Sequence, residues 1–147
     1  MAEKFIVNDL NELNGFCQKI KTQILNSKLR NQIFFFEAQM GAGKTTFIRS
    51  LIKSFEKDMK VSSPTFTGMH LYKGKEFDFY HYDLYQVALS LEEFQDILED
   101  EKDKVIFFEW AENLDAKTKA KFKNPNTDTQ TLQIQVLDDD VREFSFT

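Results

Sequence analysis

Two glycines and a lysine within residues 38–46 are the chain's clearest candidate for chemistry. Gly41 and Gly43 let the backbone turn successive N–H groups toward an anion, and Lys44 adds a positive charge where a predicted helix begins. The positive end of the helix dipole would add to this attraction. The sequence therefore predicts a phosphate-binding loop, with the residues Met40, Gly41, Ala42, Gly43, Lys44, Thr45 and Thr46.

The spacing of this loop is that of a Walker A motif, and the expected ligands are ATP and Mg²⁺. Thr45 carries a small hydroxyl at the position that ligates the metal ion, and Thr46 can donate a hydrogen bond to an inner phosphate. Ala38 stands where such loops usually begin with glycine. If this position needs a positive φ, alanine would strain the loop by about 1 kcal/mol or more.

Two acidic residues near the ends of predicted strands are candidates for the metal site and for catalysis. Glu109 directly follows the apolar run 105–108, which is the placement of a Walker B carboxylate. We expect Thr45 and Glu109 to hold the metal ion, and Asp83 to position or activate the attacking water. With Lys44, these carboxylates form the predicted catalytic set. Two simpler interpretations stay open, a solvated carboxylate for Glu109 and a turn cap for Asp83.

Four further residues could border the same site. Trp110 either forms a wall of the nucleotide pocket or packs in the core. His81 lies among aromatic residues with no nucleophile to activate, which favours a structural role. Ser63 and Thr65 belong to a Ser-Ser-Pro-Thr turn placed like a switch that senses a terminal phosphate, and Thr65 is the expected polar contact.

The elements that must position these residues are readable from hydrophobic spacing. Apolar residues at helical spacing predict helices over 10–24, 44–55 and 91–98, with Asn8 or Asp9 capping the first and Ser90 the last. Apolar or alternating runs predict strands over 5–7, 33–37, 69–72, 76–85, 105–108, 132–136 and 141–146. Turns at 73–75 and 138–140 would join two pairs of these strands as hairpins.

This order of elements predicts an α/β fold with a P-loop NTPase-like three-layer arrangement. We expect a mixed central sheet flanked by helices, together with a C-terminal β-hairpin. The length of 147 residues and the absence of a Pro/Gly-rich linker predict a single P-loop ATPase domain over 1–147.

Composition excludes several classes of protein. The net charge of -5 argues against a direct electrostatic grip on nucleic acid. The lone cysteine, Cys17, rules out an internal disulfide framework. No stretch approaches the roughly 20 apolar residues of a membrane span, and the first residues lack a signal-peptide pattern, so we expect a cytoplasmic protein with no membrane partner.

Missing motifs narrow the choice among phosphate-loop proteins. The Asn-Lys-x-Asp and Asp-x-x-Gly patterns of small GTPases do not occur in the sequence. Small-molecule kinases usually close an arginine-bearing lid over the transferring phosphate, whereas Arg30, Arg49 and Arg142 are widely separated here. A slow ATPase completed by partner proteins fits better than a self-sufficient kinase.

Four motifs occur in order along the chain: Gly-Ala-Gly-Lys-Thr-Thr-Phe-x-Arg at 41–49, Ser-Pro-Thr-Phe at 63–66, His-x-Asp-Leu-Tyr at 81–85 and Glu-Trp at 109–110. Together they resemble the TsaE (YjeE) family, the bacterial ATPases needed for threonylcarbamoyladenosine synthesis on tRNA. The resemblance implies a single-domain α/β ATPase that works with the proteins TsaD and TsaB. ATP hydrolysis would reset the TsaD–TsaB assembly between rounds of modification, and tRNA would be contacted only through that complex.

The resemblance also assigns roles to individual residues. Lys44 and Thr45 would bind phosphate and Mg²⁺, Glu109 would complete the metal site, and Asp83 would act on the attacking water. Gln86 stands where the family usually has arginine, which removes a possible phosphate or partner contact.

Three functions stay open on the sequence alone. The first is a partner-dependent ATPase that sustains turnover in tRNA modification. The second is a nucleotide-dependent binding switch without productive hydrolysis. The third is a small-molecule kinase, which the sparse arginines favour least.

Overall fold

A computed structural model describes residues 3–64 and 67–147 as alternating strands and helices. The strands are β1 (Glu3–Val7), β2 (Asn31–Ala38), β3 (Met69–Lys73), β4 (Asp78–Asp83), β5 (Lys104–Glu109), β6 (Thr127–Val136) and β7 (Arg142–Phe146). The helices are α1 (Leu10–Asn26), α2 (Lys44–Phe55), α3 (Leu91–Glu99) and α4 (Ala116–Ala120), with a short 3₁₀ helix at Ala111–Asn113. Within these residues, no helix is long and apolar enough to cross a membrane.

The strands of the described residues form one mixed sheet in the order β1-β7-β6-β2-β5-β4-β3. β2 lies in the middle and runs parallel to β5 and β6, while β4 runs parallel to β5. The β3–β4, β6–β7 and β1–β7 pairs are antiparallel. Because β2 has a parallel neighbour on each side, the loops at the carboxyl ends of these strands meet around its end, and a crevice is expected there.

Phenylalanine side chains fill the layers on both faces of the sheet. Successive residues of a strand point to opposite faces, so Phe34 and Phe36 join one core cluster while Phe35 joins the other. Helices α1 and α2 cover the first face, where Phe47 contacts Phe36 with ring centroids 5.8 Å apart. Each buried phenylalanine contributes about 1.5–3 kcal/mol to stability. The aromatic runs therefore hold the layers together and fix the sheet beneath the loops.

The second face is covered by α3 and the segment that follows α4. Phe94 of α3 packs on Phe122 with ring centroids 4.5 Å apart, and both contact Phe108 of β5. Helix α3 begins at the Ser90 cap, whose hydroxyl accepts a hydrogen bond from Glu93 N at 3.4 Å. The result is a three-layer arrangement with helices on both sides of the sheet.

The predicted fold class is confirmed, and the boundaries of the predicted elements differ at several points. Asp9, rather than Asn8, is the N-cap of α1, and its carboxylate accepts a hydrogen bond from Glu12 N at 2.8 Å. The strand expected over 76–85 spans only Asp78–Asp83. It ends at Asp83 because the Asp83 carboxylate accepts the Tyr85 amide in a turn. The 3₁₀ helix and α4 were not predicted, since neither carries a full period of apolar residues.

Candidate functional site

The phosphate-loop candidate connects β2 to α2 at the carboxyl edge of the central strand. Gly41 and Gly43 have φ angles of 78° and 107°, in the left-handed region that residues with a Cβ disfavour. Ala38 is the last residue of β2, and its φ is not positive. The condition for loop strain at Ala38 is therefore not met.

Helix α2 presents its first-turn N–H groups to the loop. Gly43 is the N-cap, and its carbonyl accepts the first helical hydrogen bond, from Phe47 N at 3.0 Å. The N–H groups of Lys44, Thr45 and Thr46 precede that bond, so they have no carbonyl partner within the helix. A glycine cap offers them no side-chain acceptor. Together with the helix dipole, these donors make an anion-binding site.

Lys44 is buried although it carries a charge. Its side chain is only 6% exposed, and its ammonium donates to the Ala38 carbonyl oxygen at 3.2 Å. The same ammonium lies over the Trp110 ring, 4.3 Å from the centroid. A lysine in an ordinary surface turn would extend into solvent. The fold instead holds this cation beside the loop.

Asp83 and Glu109 are neighbours at the carboxyl ends of two adjacent parallel strands. Asp83 is the last residue of β4 and Glu109 the last residue of β5, and the two are paired in the strand register. Both residues are buried, at 5% and 7% exposure. The Asp83 Oδ1 atom accepts the Tyr85 amide at 3.0 Å, so the turn-capping role considered for Asp83 is present as well. The cap fixes the carboxylate at the sheet edge.

His81 contacts one of these carboxylates directly. Its side chain is fully buried, and its Nε2 atom is hydrogen-bonded to the Glu109 Oε2 atom. In the described part of the chain, the Nδ1 atom of this ring has no hydrogen-bond partner. The sequence favoured a structural role for His81 and gave no sign of this contact, because the two residues are 28 positions apart.

Trp110 adopts an unusual backbone conformation directly after Glu109. Among the described residues it is the one non-glycine residue with a positive φ, at 61°. The ring of Tyr85 lies against the Trp110 ring with centroids 5.3 Å apart, and Tyr85 is 66% exposed. Such strained positions persist where the surroundings hold them, and they cluster at functional sites.

A cavity of about 390 Å³ brings most of the predicted site residues together. The predicted residues in its lining are Met40, Gly41, Gly43, Lys44, Thr45, Thr46, Ser63, Asp83, Glu109 and Trp110. Tyr85 and Gln86 also line it, and the sequence did not single out Tyr85 for this role. The volume is in the range of small-molecule sites.

Ala42 is the one predicted site residue of the described chain that stands apart from this cavity. Ala42 is buried in the core, its N–H donates to the Gln39 carbonyl at 3.1 Å, and it is not part of the lining. Thr65, the predicted switch contact, lies outside the described residues.

A second cavity of about 400 Å³ adjoins the first across the loop. Gly43 and Thr46 line both cavities, and Asp139, Asp140 and Arg142 line only the second. The Arg142 Nε atom donates to the Ala42 carbonyl at 3.1 Å, which ties the C-terminal hairpin to the phosphate loop. A continuous surface on both sides of α2's first turn can thus accommodate an elongated ligand.

The polar groups of the first cavity suit a magnesium phosphate. Mg²⁺ prefers oxygen ligands and is usually held by one or two carboxylates together with substrate phosphates. Thr45, Asp83 and Glu109 supply a hydroxyl and two carboxylates, whereas Lys44 and the α2 amides supply donors for phosphate oxygens. Within the described residues, no cluster of three or more His, Cys, Asp or Glu side chains is placed to hold a metal ion alone. These residues therefore fit a metal ion that arrives with its nucleotide.

Comparisons with known proteins agree in naming one family. A family model described as "Threonylcarbamoyl adenosine biosynthesis protein TsaE" matches residues 7–144. The TsaE of Rickettsia prowazekii is 39% identical over 85 residues, which are 56% of this chain and 58% of that protein. The TsaE of Treponema pallidum is 31% identical over 116 residues, which are 77% of this chain and 79% of that protein. The match thus spans little more than half of the rickettsial relative.

One solved structure shares the fold. The crystal structure of Bacillus subtilus YdiB has a TM-score of 0.65 and is 22% identical, with 99% of this chain and 84% of that chain covered. At this level of identity the likeness concerns the arrangement of strands and helices.

Proposed function

The chain belongs to the TsaE family, and we propose that it binds ATP with Mg²⁺ and hydrolyses it to sustain threonylcarbamoyladenosine modification of tRNA. One observation carries the proposal. A buried lysine, the free amides of a helix N-terminus and two register-paired carboxylates line a single cavity at the carboxyl edge of the sheet. Phosphoryl transfer needs this combination of donors, metal ligands and a group that orients water.

The phosphate groups would bind along the loop and the first turn of α2. The amides of Gly43, Lys44 and Thr45 supply donors. The Lys44 ammonium, which donates to the Ala38 carbonyl, would turn toward the outer phosphates. Because the ammonium is already held within the cavity, little side-chain freedom would be lost on binding. This preorganisation favours tight binding of the triphosphate.

The nucleoside would lie in the second cavity, on the other side of the shared residues Gly43 and Thr46. Asp139 and Asp140 offer carboxylate acceptors for the amino group of the base or for ribose hydroxyls. Val7 and Leu10 supply apolar contacts for a planar base. A nucleotide bound in this way would extend from the β6–β7 turn to the carboxylates of Asp83 and Glu109.

Thr45 and Glu109 are the residues that we propose hold Mg²⁺. The ion would neutralise charge that develops on the phosphate oxygens. Asp83 would orient the attacking water and accept its proton, and the hydrogen bond from the Tyr85 amide keeps its carboxylate in place for this step.

The arginines support dependence on partner proteins. Among the described residues, no arginine lines the first cavity. Arg49 donates from Nε to the Val61 carbonyl at 3.4 Å, and Arg30 lies at the opposite end of β2 from the loop. A cation needed to complete the site would then come from another protein. We propose TsaD and TsaB as these partners, with tRNA contacted only through their complex in the cytoplasm.

The test of the proposal measures ATP binding by calorimetry and phosphate release, with and without the two partner proteins. The unaltered protein should bind ATP, and the partners should raise its slow phosphate release. Lys44→Ala should weaken binding about 10- to 100-fold, because a charge-assisted interaction with phosphate is lost. Lys53→Ala, which removes an exposed lysine from the same helix, is the control. Equal ATP affinity of Lys44→Ala and the unaltered protein would refute the proposal.

Asp83→Asn separates the ATPase from a nucleotide-dependent switch. The asparagine oxygen can still accept the Tyr85 amide, so the turn is kept while the general base is removed. We expect normal ATP binding and phosphate release lowered by about 10²-fold or more. If this variant nevertheless sustains tRNA modification fully, ATP binding alone is the function and hydrolysis is incidental.

A further inference from the structure

The core holds a polar ring, that of His81, which forms a buried pair with Glu109. His81 lies on β4 on the same side of the sheet as Phe79, and its ring makes an edge contact with Phe107 at a centroid distance of 6.4 Å. Its neighbours in this layer are phenylalanines. A phenylalanine would fill the same space without a buried nitrogen that lacks a hydrogen-bond partner, which costs free energy. Packing alone does not explain the histidine.

The strand register explains which group the ring serves. Asp83 and Glu109 end adjacent parallel strands, and His81 lies two residues before Asp83 on the same face of β4. From there the ring reaches diagonally to Glu109, whose Oε2 atom is bonded to the His81 Nε2 atom. Within the described chain, this is the one side-chain hydrogen bond of the Glu109 carboxylate.

We propose that His81 is a positioning residue for Glu109, and this inference rests on the proposed function. The Nε2–H group would donate to Oε2 and fix the orientation of the carboxylate. The Oε1 atom would then be the oxygen presented to a magnesium ion that enters with the nucleotide. Hydrogen bonds to metal-binding side chains have this effect generally, and losing one lowers metal affinity or activity about 10- to 100-fold.

The sharpest test compares two substitutions of His81 that differ in one donor. In His81→Gln the amide nitrogen can take the place of Nε2 and donate to Glu109. In His81→Phe the ring volume is kept and the donor is lost. Calorimetry would measure ADP affinity in EDTA and across a series of Mg²⁺ concentrations, so the readout does not depend on hydrolysis. Thermal unfolding would verify that each variant is folded.

His81→Phe should bind ADP in EDTA within about twofold of the unaltered protein, because the phosphate loop is untouched. Its Mg²⁺-dependent gain in ADP affinity should fall about 10- to 100-fold, and His81→Gln should recover most of that gain. The inference is overturned if His81→Phe shows the Mg²⁺ dependence of the unaltered protein, or if His81→Gln loses it to the same extent.

A double-mutant cycle keeps the test decisive if His81→Phe is destabilised. Glu109→Gln, His81→Leu, which also lacks the donor, and the double variant of these two would be measured in the same way. If His81 acts through Glu109, the His81 substitution should have no further effect on Mg²⁺ dependence once Glu109 is changed. Additive effects would overturn the inference. Failure of the proposed function looks different, since the unaltered protein would then show no nucleotide binding or no Mg²⁺ dependence.

Discussion

The ammonium group of Lys44 lies over the ring of Trp110, 4.3 Å from its centroid. The negative face of an aromatic ring attracts a cation, and the attraction strengthens when the cation is shielded from water, as the buried Lys44 is here. Phosphate oxygens are stronger partners for an ammonium than a ring and a neutral carbonyl. A phosphate at the loop would therefore change the environment of the Trp110 ring.

Nucleotide binding should be visible in the fluorescence of Trp110, which is the chain's single tryptophan. We expect ATP or ADP with Mg²⁺ to change its emission in a saturable manner as the ammonium moves toward phosphate. Lys44→Met keeps the length of the side chain and removes the charge, so its emission should start from a different value and respond little. Emission that stays constant while calorimetry reports binding would contradict this expectation.

Arg142 should support both the hairpin and the phosphate loop. Besides the Ala42 carbonyl, its guanidinium donates to the carbonyls of Asp138 and Asp139 at 3.1 and 3.0 Å. Arg142→Ala should lower the free energy of unfolding by about 1–2 kcal/mol and weaken ATP binding several-fold, because the loop loses its tether. Urea unfolding and calorimetry measure the two effects. Arg30→Ala, at the other end of the sheet, should change neither stability nor ATP affinity. If Arg142→Ala also leaves both quantities unchanged, Arg142 is not a tether.

Tyr72 should hold the start of the segment that carries Ser63. Its hydroxyl accepts the Ser62 amide at 3.1 Å and donates to the Ser62 carbonyl at 3.0 Å, while Ser63 lines the first cavity. Tyr72→Phe should cost about 1 kcal/mol of stability and speed hydrogen exchange of the Ser62 amide.

Tyr72→Phe should affect the affinity for ATP and the affinity for ADP differently. If the segment senses the terminal phosphate, Tyr72→Phe should weaken ATP binding several-fold and leave ADP binding unchanged. Tyr80→Phe is a matched control, since Tyr80 is equally buried and its hydroxyl makes no hydrogen bond within the described residues. Equal losses for ATP and ADP would contradict a role in sensing the terminal phosphate.

Cys17 should be inert in the folded protein. It is packed beneath α2, and burial raises the pKa of its thiol to about 12. The reactive thiolate is thus about a thousandfold rarer at pH 8.5 than in an unfolded chain, and labelling with a thiol reagent should be at least about 100-fold slower than in urea.

The same pKa shift predicts a loss of stability at high pH. The unfolded thiol releases its proton near pH 9 and the folded thiol near pH 12, so the stability contributed below pH 9 is lost as pH rises through this window. Cys17→Ala should remove this part of the pH dependence. Rapid labelling of the native protein would contradict the burial of the thiol.

Local chemistry made much of the site readable from the sequence. Gly41, Gly43 and Lys44 are adjacent in the chain, and the physical demands of a phosphate loop fix their types and spacing. Glu109 ends an apolar strand, which marks the carboxyl edge of a sheet. Alternation along β4 also put Asp83 on the same face as His81. The structure places most of the predicted phosphate loop and both carboxylates in the lining of one cavity, and their roles in binding and catalysis stay predictions.

Contacts between distant segments were decided only by the tertiary structure. The pairing of His81 with Glu109, of Lys44 with Trp110 and of Arg142 with Ala42 joins residues that are 28 to 100 positions apart. Such contacts depend on strand register and on the order β6-β2-β5-β4, which hydrophobic periodicity does not encode. The sequence by itself determined which groups are candidates for binding a magnesium phosphate. The sheet determined which of them touch, because parallel pairing aligns the ends of strands that lie far apart in the chain.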